Sequence, residues 1–265
     1  MKRLVVVLFS LGLLLAGVGC ARPAGGTPED ALPVLSPLPA ELVAALDTFR
    51  AEGPKGWAFT QTTSGGGHER VERYDPRRRG VARWTLLSDK GAAPTDEEQR
   101  RYRDTRPNFD ASANLAANLD RASAVLVSED ETSRTFQFRL IPGGEDDKAA
   151  AHMRARLTLD RNTGAFTRVE LFSAGPFKPA SSLTIEEART TLLYSPPTAT
   201  APALPREVTM HVKGKRFWVR AFEEKVVSTF SDHENAALAP DALATDAAAS
   251  TEAAAPAEAA HSPSS

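Results

Sequence analysis

Cysteine is almost missing from this chain: Cys20 stands alone among 265 residues. A single thiol excludes an internal disulfide framework and the cysteine-rich zinc sites. Tryptophan, tyrosine and methionine are scarce too, at three each. Neither sign of charge dominates, since 32 Lys and Arg meet 34 Asp and Glu. That balance gives no footing for a nucleic-acid partner, which a basic stripe would announce. Beyond Ala16 no apolar run approaches the length of a membrane span. Histidines 68, 152, 211 and 233 show no paired ligand spacing. Glu145-Asp146-Asp147 lacks the alternate ligands and the closing Glu of a calcium loop. Neither a metal nor a cofactor is expected. A nucleophile elbow is missing as well, because no glycine precedes Ser173 at the required spacing. The chain reads as a binding or structural protein, not an enzyme.

What is present begins at residue 1. Lys2 and Arg3 make a short positive region, and Leu4 to Ala16 is an almost unbroken apolar run. It is the right length for the core of a secretory signal. Small residues follow, Ala16-Gly17-Val18-Gly19, and then Cys20. This arrangement resembles the lipobox of bacterial lipoproteins, although Gly17 stands where that family prefers Leu. The resemblance implies cleavage before Cys20, acylation of its thiol and stable anchoring by more than one chain. Ordinary signal-peptidase cleavage near Cys20 or Ala21 is the alternative. Ala21, not Asp, follows the cysteine. By the sorting rule of such lipoproteins this implies the outer membrane, facing the periplasm.

Composition divides the rest. Residues 1–19 are the signal peptide, and 20–37, rich in Pro and Gly, form a tether. Residues 38–235 are one folded domain. Residues 236–265 are mostly Ala with Pro, Ser and acidic residues, and cannot bury enough surface to offset ordering entropy. Within the domain, Leu38, Leu42, Leu46 and Phe49 fall at helical spacing. Strands are predicted at 57–62, 69–74 and 83–88. Thr95 with Glu98 is a capping-box signature for a helix through Tyr102. A second helical piece is predicted from Phe109 to Leu119. Further strands are predicted at 124–128, 134–141, 153–160, 166–173, 183–194 and 208–213. After a turn at Gly214-Lys215, the last two are read at 217–222 and 225–230. The fold class is therefore mainly β: about ten antiparallel strands, one face wet and the other covered by helices. No loop reads as apolar at its tip.

This order of elements is similar to the LolA/LolB superfamily of periplasmic lipoprotein carriers and receptors. The opening helix, the strand Trp57-Ala58-Phe59-Thr60-Gln61-Thr62, the strand Arg83-Trp84-Thr85-Leu86-Leu87 with its helical lid, and the hairpins after Met153 carry the resemblance. It implies a curved, incomplete antiparallel barrel with helices at its mouth, holding acyl chains in a concave cavity. Trp57, Phe59, Trp84, Leu86, Phe136, Phe138, Leu157, Leu159, Met210, Phe217 and Val219 would line that cavity. The same alternation fits a closed core. Arg77-Arg78-Arg79 could meet lipid phosphates, or could be a solvated turn. The expected function is binding of an apolar ligand, the acyl chains of a lipid or lipoprotein, in trafficking to the outer membrane. The alternative is an assembly lipoprotein whose half-barrel docks an envelope protein.

Overall fold

The structure is a computed structural model that describes residues 32–50, 55–105, 115–142, 147, 149–217 and 219–236. Cys20, Trp218, Glu145-Asp146 and the tail from 237 onward lie outside the described residues.

Alternation of apolar and polar residues dictates a sheet with two unlike faces, and one sheet takes all the strands among the described residues. It contains β1 (Trp57–Gly65), β2 (His68–Tyr74), β3 (Trp84–Asp89), β4 (Leu119–Glu129), β5 (Ser133–Leu140), β6 (Met153–Asp160), β7 (Phe166–Ser173), β8 (Phe177–Ala180), β9 (Leu183–Tyr194), β10 (Pro205–Arg216) and β11 (Arg220–Asn235). The spatial order is β3-β2-β1-β11-β10-β9-β7-β6-β5-β4, with β8 paired to β9. Every pairing is antiparallel, and the curved sheet stays open between β3 and β4. The expected incomplete barrel is present.

Residues opposite one another on paired strands share a face. One row therefore crosses eight strands on the inner side: Phe136, Leu157, Val169, Leu192, Val208, Ser228, Thr63 and Arg70. The neighbouring row faces outward: Gln137, Arg156, Glu170, Thr191, Thr209 and Val227. A bulge at Lys213/Gly214 lets β10 bend past β9. Gly214 is required there, because a Cβ would come within 2.3 Å of the Thr184 carbonyl oxygen.

Two α-helices attach to this sheet among the described residues. Helix α1 (Ala40–Thr48) buries Leu42, Ala45 and Leu46. Helix α2 (Asp96–Thr105) opens on the predicted capping box. The Thr95 N–H donates to Glu98 Oε2 at 2.8 Å, and the Glu98 N–H donates to Thr95 Oγ1 at 3.3 Å. Its inward residue Tyr102 donates to the buried Glu72 carboxylate at 2.6 Å.

Three expectations are corrected. The predicted strands at 217–222 and 225–230 are one 16-residue strand, β11. The turn before it falls at 217–219, not at Gly214-Lys215, because Gly214 pairs with both Ile185 and Phe222 inside the ladder. The helix expected over 109–119 is, in its described part, a short 3-10 turn at Leu115–Asn118 that leads directly into β4. Strand β8 was not anticipated, since Pro179 and four residues of length leave no alternation to read. Val34 and Leu35 also join the fold, on β4 at Val125 and Ala124.

Candidate functional site

The inner face is the place to look, since a half-barrel that holds a ligand must hold it there. Its β4–β7 end is the main core. Helix α1 lies over it and brings Leu42, Leu46 and Phe49 against Phe136, Phe138, Leu157, Leu159 and Val169. Phe49 meets Phe166 edge-on at 5.3 Å and Tyr194 at 5.7 Å. Phe138 is 1% exposed and Leu157 0%. These side chains are filled in by the protein itself.

The residues expected to line one cavity are divided among several places. Phe136, Phe138, Leu157 and Leu159 belong to the core under α1. Met210 packs in a second cluster with Phe177, Ile185, Val212 and Val226. Phe59 and Trp84 form an aromatic group with Tyr74 and Phe230, at ring distances of 5.0 to 5.7 Å. Leu86 is buried on β3, and Trp57 is half-buried opposite Asn235 at the start of β1. Phe217 and Val219 are a correction: they do not line the interior. They stand in solvent at the β10–β11 turn, 68% and 87% exposed. The misplaced turn explains the error, because residues read as alternating strand are in fact the loop.

Between the two apolar ends the inner face is polar. The Thr63 and Ser228 hydroxyls hydrogen-bond at 2.9 Å, and the Gln61 amide donates to Thr63 at 3.1 Å. With Glu72, which lies opposite Gln61 and accepts from Tyr102, this stretch is a hydrogen-bonded polar seam, in which the buried Nε of Arg70 is left without a partner. A cleft of about 160 Å³ exists, but on the other side, where Val34 crosses β4. Its lining mixes Leu32, Val34 and Val125 with Asp120, Arg139 and Arg154.

The outer face carries the charge. Glu170 accepts from Arg168 at 2.8 Å and from Arg189 at 3.1 Å. Burial works to raise its pKa, but the hydrogen bond and charge of Arg168, then Arg189, outweigh it and hold the carboxyl below its ordinary value. Arg156 lies 4.5 Å over the Phe172 ring. Of the Arg77-Arg78-Arg79 run, Arg77 is engaged within the fold, by Asp75 at 2.8 Å and Glu234 at 3.1 Å. Arg78 and Arg79 are exposed. His211 meets Glu223 at 2.8 Å and His152 stacks on Phe177 at 5.2 Å. Among the described residues no group of three His, Cys, Asp or Glu is placed to hold a metal ion. No described helix is long and apolar enough to cross a membrane.

The geometry defines a class: an open, curved antiparallel half-barrel whose apolar interior is plugged by a helix. No family model and no curated protein matches the sequence. Two solved structures are similar to the chain. One is a DUF1329 family protein from Desulfovibrio piger, at 10% identity and a TM-score of 0.34, covering 76% of this chain and 93% of that one. The other is the Pseudomonas aeruginosa MucA/MucB complex, at 14% identity and a TM-score of 0.21, covering 72% and 92%. Both scores are too low for the likeness to bear on function.

Proposed function

We propose that this chain is a lipid-anchored envelope protein of the LolA/LolB-like half-barrel kind, tethered through Cys20 and serving as a docking platform for an envelope partner. The observation that carries the reading is the filled interior. Leu42 and Leu46 of α1 occupy the space above Phe136, Phe138 and Leu157 that an alkyl chain would need. The signal-like start, the solitary Cys20 and Ala21 after it support anchoring in the outer membrane on its periplasmic side.

One observation favours a second reading, in which the half-barrel carries acyl chains. Helix α1 is only nine residues long, and beyond its buried apolar stripe it is held to the sheet by ion pairs at the surface, Asp47–Arg121 at 2.8 Å and Glu41–Arg134. Such pairs hold little. With α1 swung aside, alkyl chain could replace it at about 0.8 kcal/mol per methylene. The two readings separate on a fluorescent fatty-acid probe. The platform binds none saturably, and mass spectrometry of the purified protein finds no stoichiometric lipid. Saturable binding that disappears when α1 is cross-linked to β5 would transfer the function to the carrier.

A further inference from the structure

The β10–β11 hairpin breaks three local rules at one point. Its turn, described at Phe217 and Val219, lies between the paired Arg216 and Arg220. Turns favour Gly, Asn, Asp and Ser, yet this one presents Phe217 and Val219 more openly than any other large apolar side chain among the described residues. Phe217 also holds a left-handed backbone, φ 49°, where Asn or Gly is at ease and an aromatic residue is not. Finally, Arg216 faces Arg220 directly across the ladder, and like charges there repel. Neither arginine has a carboxylate partner among the described residues. The Arg216 guanidinium rests 5.0 Å over the Phe222 ring, and its Nε is buried without a hydrogen bond.

At the tip the charge is positive, while the strands behind it also carry Glu186, Glu187, Glu223 and Glu224. Between Val208 and Phe222 the sequence holds Lys213, Lys215, Arg216 and Arg220 and no carboxylate. Alternation places the two lysines on one face of the hairpin and the two arginines on the other. Lys215 is offset by Glu186 at 2.8 Å, while the arginines at the very tip are not offset. On the lysine face, Lys213 stands between Glu187 of β9 and Glu223 of β11, so the net positive charge is confined to the arginines at the tip. Apolar side chains at the tip beside two arginines that no carboxylate offsets, Arg216 and Arg220, match the boundary of a bilayer that bears anionic headgroups. There, apolar groups enter the acyl region while Arg and Lys stay at the level of the phosphates.

We propose that the β10–β11 hairpin is a membrane-contact element, inserting Phe217 and Val219 into an anionic phospholipid surface with Arg216 and Arg220 on lipid phosphates. A second copy of the chain is the poorer occupant, since a symmetric contact would set Arg216 and Arg220 against their own copies. The contact does not depend on Cys20. Where that residue is acylated the two attachments reinforce each other, as a single weak anchor is reversible.

The test uses the chain from residue 20 onward with Cys20→Ser, so that no acyl chain is present, floated with lipid vesicles. Binding is expected to vesicles of phosphatidylethanolamine and phosphatidylglycerol, to weaken with added salt, and to be about tenfold lower on phosphatidylcholine alone. Phe217→Asn with Val219→Ser removes the two exposed apolar side chains described at the tip while suiting the left-handed turn, so the circular dichroism should not change. Its partitioning should fall about tenfold or more. Arg216→Gln with Arg220→Gln should reduce the preference for anionic vesicles. A wild type that ignores anionic vesicles, or a tip variant that floats as well as wild type, overturns the proposal. So does self-association that the tip variant abolishes while vesicles remain unbound, because the tip would then be a subunit interface.

Discussion

At the scale of single residues, hairpin carboxylates do the local ordering. Asp130 follows β4 and accepts from the Thr132 and Ser133 backbone N–H groups and from both of their hydroxyls, at 2.8 to 2.9 Å. Those bonds, led by the Thr132 backbone N–H, lower its pKa from 3.8 to about 2. A depressed carboxylate stabilises the fold above its unfolded pKa and loses that contribution as pH falls through the folded one. The window here therefore runs from 3.8 down to about 2. Carbon-13 NMR titration of the Asp130 carboxyl should show the low midpoint, and a midpoint at or above 3.8 would mean that the turn does not form as described. Asp160 makes a similar turn before β7, accepting from the Asn162 and Thr163 backbone N–H groups. Its Asp-Arg-Asn-Thr-Gly surroundings announced a hairpin from sequence, because Asx side chains satisfy their own turn. Phe217 announced nothing, since an aromatic residue at positive φ is the exception that only coordinates reveal.

At the scale of elements, α1 decides the character of the interior. Its Leu42, Leu46 and Phe49 stripe was legible at helical spacing, and so was the burial that it implies. What it covers was not legible, because alternation on β5 and β6 is the same for a cavity wall and for a packed core. The filled core makes a distinction that mutation can check. Phe138→Ala should cost about 3–5 kcal/mol, because the neighbours of a side chain 1% exposed cannot collapse onto the space it leaves. Leu157→Trp should destabilise by about 1–3 kcal/mol or more through overpacking. Both are read from urea unfolding midpoints. If Leu157→Trp proved neutral, the space above β6 would have to be empty in solution. The last hairpin was misjudged for a related reason. Gly214 reads as a turn, but its lack of a Cβ serves a close approach to Thr184 within the ladder instead.

At the scale of the whole molecule, attachment and body are separate questions. The body begins at its first described pairing, Val34 on β4. Between Cys20 and Leu32 the chain can span at most about 40 Å. An acylated Cys20 would therefore hold the half-barrel close to the bilayer, within reach of a hairpin that touches it. Metabolic labelling with a palmitate analogue should mark the wild type and leave Cys20→Ser dark. Equal labelling of both would remove the anchor from the proposal without touching the hairpin test, which is run on unacylated protein. Recovery of the labelled protein chiefly in the inner-membrane fraction would overturn the destination inferred from Ala21.

The sequence by itself determined the sheet. Period-two alternation along β5, β6, β7 and β10 sets which side chains face inward, and the Thr95–Glu98 box and the Asn162-Thr163-Gly164 turn set where α2 starts and β6 ends. These are local signals, carried by residues within a few positions of one another. Only the tertiary structure decided that the sheet stays open between β3 and β4, that α1 fills the β4–β7 end, and that Glu170 is held by arginines from two strands. It also placed Phe217 and Val219 outside rather than inside. Such outcomes depend on register between distant strands, and a shift of one residue moves every side chain of a strand to the other face.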